Sequence, residues 1–459
     1  MSAKRAWRVY LALLGLLTGC VAGLQLATLS AQDTPPPAPA APLLKGDWFV
    51  KQALSNIGGL DPELSALQAI AQFSEALPNP AAARRIGVVK ESILHESGKR
   101  DFRRLTSPEA TRNLTSSDMA DLRSELDMWL RIYGPDHLSG PEVQSFIDRI
   151  NGLDIGPVGK AAIADVYRRS GRQASADAEL RRVRAAAARS IAAMTVLVAA
   201  LAAGGAVGLV IILLFLIRSA SRLGGPPPRI QPSVLMIGFF TYFGALIAIG
   251  ILMHAVAALG GLEGDVEFVM LQAVSVTGAF ALGWSALRAV TTFTGEKLAD
   301  MGLRMPPVRH ALKWGVGGYL ASLPLVGAAL LVSQVLSKTV FRNVPTPEQP
   351  FGPVVAGGGV PGVLLVFVLA AVLAPVAEET FFRGALYGAL RARLRVWPAA
   401  LLAAGVFAVA HPLPGGFLPI FVLACVLAML REKTGSLVPG MICHGLYNGV
   451  VLGLFLLVA

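Results

Sequence analysis

The 459-residue chain is too apolar for an ordinary soluble protein, because 54% of its residues are hydrophobic and only 15% are charged. Its net charge of +11 does not indicate a nucleic-acid-binding protein, since the arginines lie beside apolar segments and no compact basic module is present. Its three cysteines lie in apolar stretches and provide neither a disulfide framework nor a CxxC metal site. The composition therefore predicts a polytopic membrane protein in contact with the lipid bilayer.

The N-terminus carries an apolar segment, long enough to span a bilayer, after three basic residues. We predict a transmembrane signal anchor over residues 1–30. The alternative is a lipoprotein signal, since LTGC resembles a lipobox that would leave Cys20 as a lipidated N-terminus. Residues 31–44 are rich in proline and alanine, which predicts an extended, semi-rigid linker.

Residues 45–188 differ from the rest of the chain, because charges of both signs alternate with apolar positions at helical spacing. Stretches such as PELSALQAIAQFSEAL and DLRSELDMWLRIYG predict amphipathic helices, and Pro-, Gly- and Asn-rich breaks separate them. No repeat of fixed period is recognisable. We predict a soluble α-helical domain without a functional motif.

From residue 190 onward the chain consists of long apolar segments. With the N-terminal segment they make nine candidate spans, the last eight near 191–217, 233–259, 268–292, 311–336, 361–386, 397–411, 416–430 and 437–458. Basic residues cluster in loops that fall on one side of the membrane if the spans alternate, and this side is expected to be cytoplasmic.

The resulting prediction is an all-α, polytopic helical bundle in a bacterial inner membrane. Its N-terminus is cytoplasmic and residues 31–188 are extracytoplasmic. Residues 190–230 form a span with a cytoplasmic loop, and residues 231–459 form the membrane domain that carries the polar groups described next.

Ionisable side chains inside predicted spans are costly and usually face a bundle interior or an aqueous cavity. Here they occur in three groups: Glu378, Glu379 and Arg383 in EETFFR, His411 in FAVAH, and His444 with Asn448 in HGLYN. Hydrogen bonding between helices or a transport pathway could also use such groups, although no inverted repeat supports a transporter.

Helical spacing separates the roles of the two glutamates. Glu379 and Arg383 are one turn apart and are expected to neutralise each other. Glu378 is turned about 100° away and has no local cation, so it is the carboxylate available as a general base.

The two histidine groups also follow helical spacing. Phe407 places an aromatic ring beside His411, while His444 and Asn448 are expected to present an imidazole and an amide to the same point, where they could stabilise an oxyanion. Alternatively, Glu378, His411 and His444 could bind zinc with a water molecule in the open position.

In order and spacing, the three groups resemble the EExxxR, FxxxH and HxxxN motifs of the type II CAAX prenyl protease and bacteriocin-processing (CPBP) family. The resemblance extends over residues 235–459. It implies an all-α intramembrane endopeptidase, labelled a metalloprotease in some schemes and a glutamate protease in others, that acts on a protein or peptide substrate in the membrane.

The resemblance also implies roles for individual residues. Glu378 and His411 would activate the water, and His444 with Asn448 would stabilise the oxyanion or assist a metal. Glu379 and Arg383 would be structural or would orient the substrate. The alternative that keeps the fold but not the activity is a catalytically silent scaffold or a bacteriocin-immunity-type protein.

Overall fold

The computed structural model describes residues 3–30, 40–55, 61–112, 115–153, 155–219, 229–260, 265–339, 359–411 and 416–458. These residues are predominantly helical and include no strand, as the all-α prediction requires. The chain divides into two compact units, Thr34–Val198 with Leu454–Ala459, and Met1–Asp33 with Ala199–Gly453. Residues 31–39 of the predicted linker and the side chain of Cys20 lie outside the described part.

The first of these units is built from short helices. In chain order, after α1 (Ala3–Ser30) at the N-terminus of the chain, they are α2 (Ala40–Ser55), α3 (Pro62–Glu75), α4 (Pro80–Ser92), α5 (Lys99–Phe102), α6 (Pro108–Thr111), α7 (Ser116–Ile132), α8 (Gly140–Gly152) and α9 (Gly156–Arg169). Several of these helices begin at a residue whose side chain accepts a hydrogen bond from a free backbone amide of the first turn. Thr115, for example, forms a capping box with Asp118 at the start of α7.

The core of this unit contains a stack of aromatic rings beside a buried ion pair. Trp129 stacks on Phe102 with ring centroids 5.3 Å apart, and its indole N–H donates to Glu125 at 2.9 Å. Arg84 pairs with the same carboxylate at 2.8 Å. The amphipathic pattern of residues 45–188 therefore produces a packed helical core of its own.

The structure corrects two predicted boundaries. Helix α2 begins at Ala40, so the end of the predicted linker is helical, and Leu43 packs against the core of this unit. Helix α10 (Gln173–Ser219) starts well before the predicted span at residue 191. The intervening sequence is rich in Ala and Arg, which favour helix strongly and continue it into the apolar segment.

The second unit contains the longer apolar helices. They are α11 (Pro232–Gly260), α12 (Asp265–Thr294), α13 (Val308–Thr339), α14 (Gly359–Val368), α15 (Ala374–Glu378), α16 (Tyr387–Arg391), α17 (Val396–Val409), α18 (Phe417–Thr434) and α19 (Val438–Val458). In the described part of the chain, six helical segments are long and apolar enough to cross a membrane. The chain is thus a multi-pass integral membrane protein.

Three of the nine predicted spans do not reach that length and apolarity in the described residues. One is the shorter apolar helix Val396–Val409. In α1 the apolar stretch with described side chains is Trp7–Gly19, so the N-terminal span stays a prediction. The third, α18, ends in charged residues, among them Glu432, which pairs with Arg391 at 3.2 Å. These helices still pack inside the bundle, since α17 and α18 both contribute buried residues to its core.

The helix that carries EETFFR departs from regular α-geometry. Helices α14, α15 and α16 are joined end to end by two π-helical segments, Leu369–Leu373 and Glu379–Leu386. We call the whole run from Gly359 to Arg391 the motif helix. Its first π-segment ends at Leu373, just before Pro375. A proline inside a helix lacks an amide hydrogen, and its ring clashes with a carbonyl of the preceding turn. Pro375 therefore explains why the helix widens at this position.

Candidate active site

The predicted pair of Glu379 and Arg383 is present on the motif helix. Oε1 of Glu379 lies 2.9 Å from Nη1 of Arg383, and their side chains are only 1% and 3% exposed. The second π-segment contains both residues, so the contact closes across a widened turn. Removal of either partner would leave the other charge buried and unpaired, which is strongly destabilising.

The ring of Phe407 on α17 lies against this pair. The guanidinium carbon of Arg383 is 4.1 Å from the ring centroid, close enough for a cation–π interaction. Among the described residues, neither Nη atom of Arg383 has an aligned hydrogen-bond acceptor. The 2.9 Å contact with Glu379 is therefore an ion pair without good N–H alignment, and Phe407 supplies the second stabilising contact.

His444 on α19 lies between the two glutamates. Its Nδ1 is 3.2 Å from Oε1 of Glu379, and its Nε2 is 3.7 Å from Oε2 of Glu378. The side chain of Glu378 is 20% exposed, against 4% for His444. Glu378 is thus the carboxylate that remains accessible, as the helical spacing predicts.

Glu378 and His411 are not in direct contact. No hydrogen bond or ion pair joins these two side chains within the described residues, and the imidazole nearest to Glu378 is that of His444. His411 follows the end of α17, and its Nδ1 lies 2.8 Å from the carbonyl oxygen of Phe407. A carbonyl only accepts, so Nδ1 carries the hydrogen, and Nε2 is the nitrogen that has a lone pair when the ring is neutral.

Asn448 contacts the motif helix through its side-chain amide. Its Nδ2 donates to the carbonyl oxygen of Ala370 at 2.8 Å. In the motif helix, the amide of Ala374 bonds to Leu369 and Pro375 has no amide hydrogen, so the Asn448 amide compensates for a missing backbone donor. Asn448 and His444 therefore contact different parts of the motif helix rather than one common point.

All of these residues fall in one segment that matches a known family. Residues 360–450 match the family model described as type II CAAX prenyl endopeptidase, Rce1-like. This segment is an Rce1-like domain. An uncharacterized 24.3 kDa protein of Escherichia coli is 27% identical over 143 residues, which make up 28% of this chain and 66% of that relative.

The chain thus spans just under two thirds of that relative's length. No solved structure matches the chain. The comparisons place the family domain over the polar cluster and leave residues 45–188 unassigned.

Glycines on α19 let the Rce1-like domain bring its helices into close contact. A Cβ at Gly445 would lie 2.5 Å from the carbonyl oxygen of Ala371, and one at Gly440 would lie 2.9 Å from Oε2 of Glu379. Gly449 faces Ala371 as well, so Gly445 and Gly449 form a GxxxG pair. The spacing GLYNG is the sequence signal for this contact, which was not predicted.

Replacing Gly445 by alanine is expected to lower the free energy of unfolding by about 1–3 kcal/mol, because the new methyl group must push α19 off the Ala371 carbonyl. Cleavage activity is expected to fall with it, since the same shift moves His444. The matched control is Gly453→Ala on the same helix, where a Cβ meets no neighbouring atom within 4 Å. Equal stability of the two variants in thermal unfolding would contradict the close contact.

The side chains proposed for zinc do not form a metal site in this arrangement. In the part of the chain that the structure describes, no three His, Cys, Asp or Glu side chains are grouped so that they could hold a metal ion. Nδ1 of His411 is engaged with its own helix. Zinc bound by Glu378, His411 and His444 stays a prediction, and no step below depends on a metal.

Proposed function

We propose that the chain is an intramembrane endopeptidase of the CAAX type, which hydrolyses a peptide bond with water activated by Glu378 and His411. The observation that carries the proposal is the placement of His444 between the two glutamates. Glu379 is neutralised by Arg383 and buried, while Glu378 remains accessible. Glu378 is thereby available to react with water, and Glu379 stabilises the fold.

The polar groups of this cluster lie in contact with one another. Two carboxylates face one guanidinium and the imidazole of His444, whose two ring nitrogens are directed at different glutamates. A general base must take a proton from water, and Glu378, at 20% exposed, is the carboxylate that water can reach.

The hydrolysis follows from these positions. A water molecule between Glu378 and the Nε2 lone pair of His411 attacks the carbonyl carbon of the substrate, and its proton passes to Glu378. The carbonyl oxygen becomes an oxyanion. The C–N bond then breaks, Glu378 returns the proton to the leaving nitrogen, and the products are a carboxylic acid and an amine.

Topology and partners complete the proposal. The N-terminus is cytoplasmic, residues 31–188 are extracytoplasmic, and the substrate is a protein or peptide that reaches the site within the membrane. The positive loops support this orientation, since Arg391 ends the motif helix and Arg393 and Arg395 follow it directly.

The direct test uses the purified full-length protein in detergent and a farnesylated peptide with a C-terminal CAAX sequence. We expect the wild type to cleave it, and the rate to survive treatment with a zinc chelator, because no three-ligand group is present in the described residues. Loss of activity on chelation that zinc restores would instead support the metal mechanism. Absence of cleavage for a folded wild type would favour the silent scaffold.

A further inference from the structure

Tyr242 on α11 is a buried phenol that the family motifs do not include. It is 1% exposed, and its hydroxyl makes no hydrogen bond to a described residue. That hydroxyl is not among the fully buried polar atoms that lack a partner. The small exposed part of Tyr242 therefore includes a hydroxyl that is free to bind another molecule.

Packing fixes the ring of Tyr242. It stacks on Phe381 of the motif helix, with centroids 4.1 Å apart and planes 7° from parallel. Gly283 on α12 makes room for this pair, because a Cβ there would lie 2.7 Å from Cβ of Tyr242 and 2.6 Å from the ring of Phe381. Contacts among α11, α12 and the motif helix thus hold the ring of Tyr242 in one orientation.

That orientation places the phenol beside the accessible carboxylate. Its stacking partner Phe381 follows Glu378 by three residues, so Phe381 and Glu378 lie on neighbouring turns of the motif helix. The hydroxyl is therefore near the group that we propose to activate water.

The donors of three motif residues, Asn448, His411 and His444, are already engaged. The amide of Asn448 donates to Ala370, Nδ1 of His411 bonds to the carbonyl of Phe407, and both nitrogens of His444 face glutamates. Hydrolysis of a peptide bond needs a preorganised donor for the oxygen that becomes negative. Tyr242 offers an O–H that has no other partner among the described residues.

We propose that Tyr242 is a further catalytic residue, whose hydroxyl donates a hydrogen bond to the carbonyl oxygen of the scissile peptide as negative charge develops there. The phenol keeps its proton throughout, so no additional proton transfer is required. This inference rests on the proposed endopeptidase function.

The test is Tyr242→Phe in the full-length protein, with the farnesylated CAAX peptide as substrate. We expect kcat to fall by about 10²–10³-fold, as for loss of one oxyanion donor, while KM changes little because the bond strengthens only in the transition state. The melting temperature Tm should stay the same or rise, since the variant removes a hydroxyl that has no partner.

The control is Tyr387→Phe, which removes a phenol of the same bundle that does have a partner. The hydroxyl of Tyr387 donates to Glu432 at 2.7 Å, so this variant is expected to lower Tm and leave kcat unchanged. The two phenylalanine variants thus separate a catalytic hydroxyl from a structural one.

Three outcomes would overturn the proposal. If Tyr242→Phe has the wild-type kcat and Glu378→Gln is inactive, Tyr242 is not a catalytic residue, but the proposed endopeptidase function stands. A fall in both Tm and kcat makes the hydroxyl structural. Failure of the folded wild type to cleave the peptide, or full activity of Glu378→Gln, contradicts the endopeptidase mechanism itself.

Discussion

Replacing Glu378 by glutamine is expected to lower kcat for cleavage of the farnesylated CAAX peptide by about 10²–10⁴-fold, the contribution of a positioned general base. The amide has nearly the shape of the carboxylate but cannot take a proton from water. Because Glu378 is 20% exposed and its charged contact with His444 is long at 3.7 Å, Tm should change little. Steady-state kinetics and thermal unfolding of the same preparation measure both quantities.

The matched control is the same substitution at the adjacent residue. Glu379→Gln removes a carboxylate that is 1% exposed and contacts both Arg383 and His444, so this variant should lose stability. If Glu378→Gln cleaves the peptide at the wild-type rate, Glu378 is not the base. If it unfolds as readily as Glu379→Gln, the division of roles between the two glutamates is wrong.

Replacing Arg383 by methionine is expected to lower the free energy of unfolding by about 3–5 kcal/mol, because it leaves the Glu379 carboxylate buried without its cation. The double variant Glu379→Gln/Arg383→Met should recover much of that loss, since it removes both charges together. Unfolding in detergent, followed by circular dichroism across a denaturant series, gives the three free energies of the cycle.

An exposed pair with the same spacing provides the control for Arg383. Arg304 contacts Asp300 at 2.7 Å, also four residues away, but its side chain is 63% exposed. Arg304→Met is therefore expected to cost only about 0.2–1 kcal/mol. A loss of the same size for Arg383→Met, or no recovery in the double variant, would show that the buried pair is not needed for stability.

Sequence patterns predicted the contacts within one helix of the site better than the contacts between helices. The spacing of Glu379 and Arg383 correctly indicated an ion pair, because such contacts depend only on neighbouring turns of one helix. The position of His444 between both glutamates depends on how α19 approaches the motif helix. No pattern within EETFFR or HGLYN contains that information.

Deviations from regular helix geometry are a further feature that the motifs do not contain. The π-segment before Pro375 leaves the Ala370 carbonyl for Asn448, and whether His444 and Asn448 also share an oxyanion stays a prediction. Tyr242 was missed because it lies far from the motifs in sequence and reaches the site only by stacking on Phe381.

The bond from Asn448 to Ala370 has a consequence for biosynthesis. The Ala370 carbonyl lacks a donor from its own helix, and a bare carbonyl in hydrocarbon is costly. The ribosome makes α19 after the motif helix, so the widened turn of a nascent chain has no side-chain amide to complete it until α19 inserts beside it. The contacts of His444 with Glu378 and Glu379 likewise form only when α19 is in place, so a chain still emerging from the ribosome carries the two glutamates without the imidazole between them.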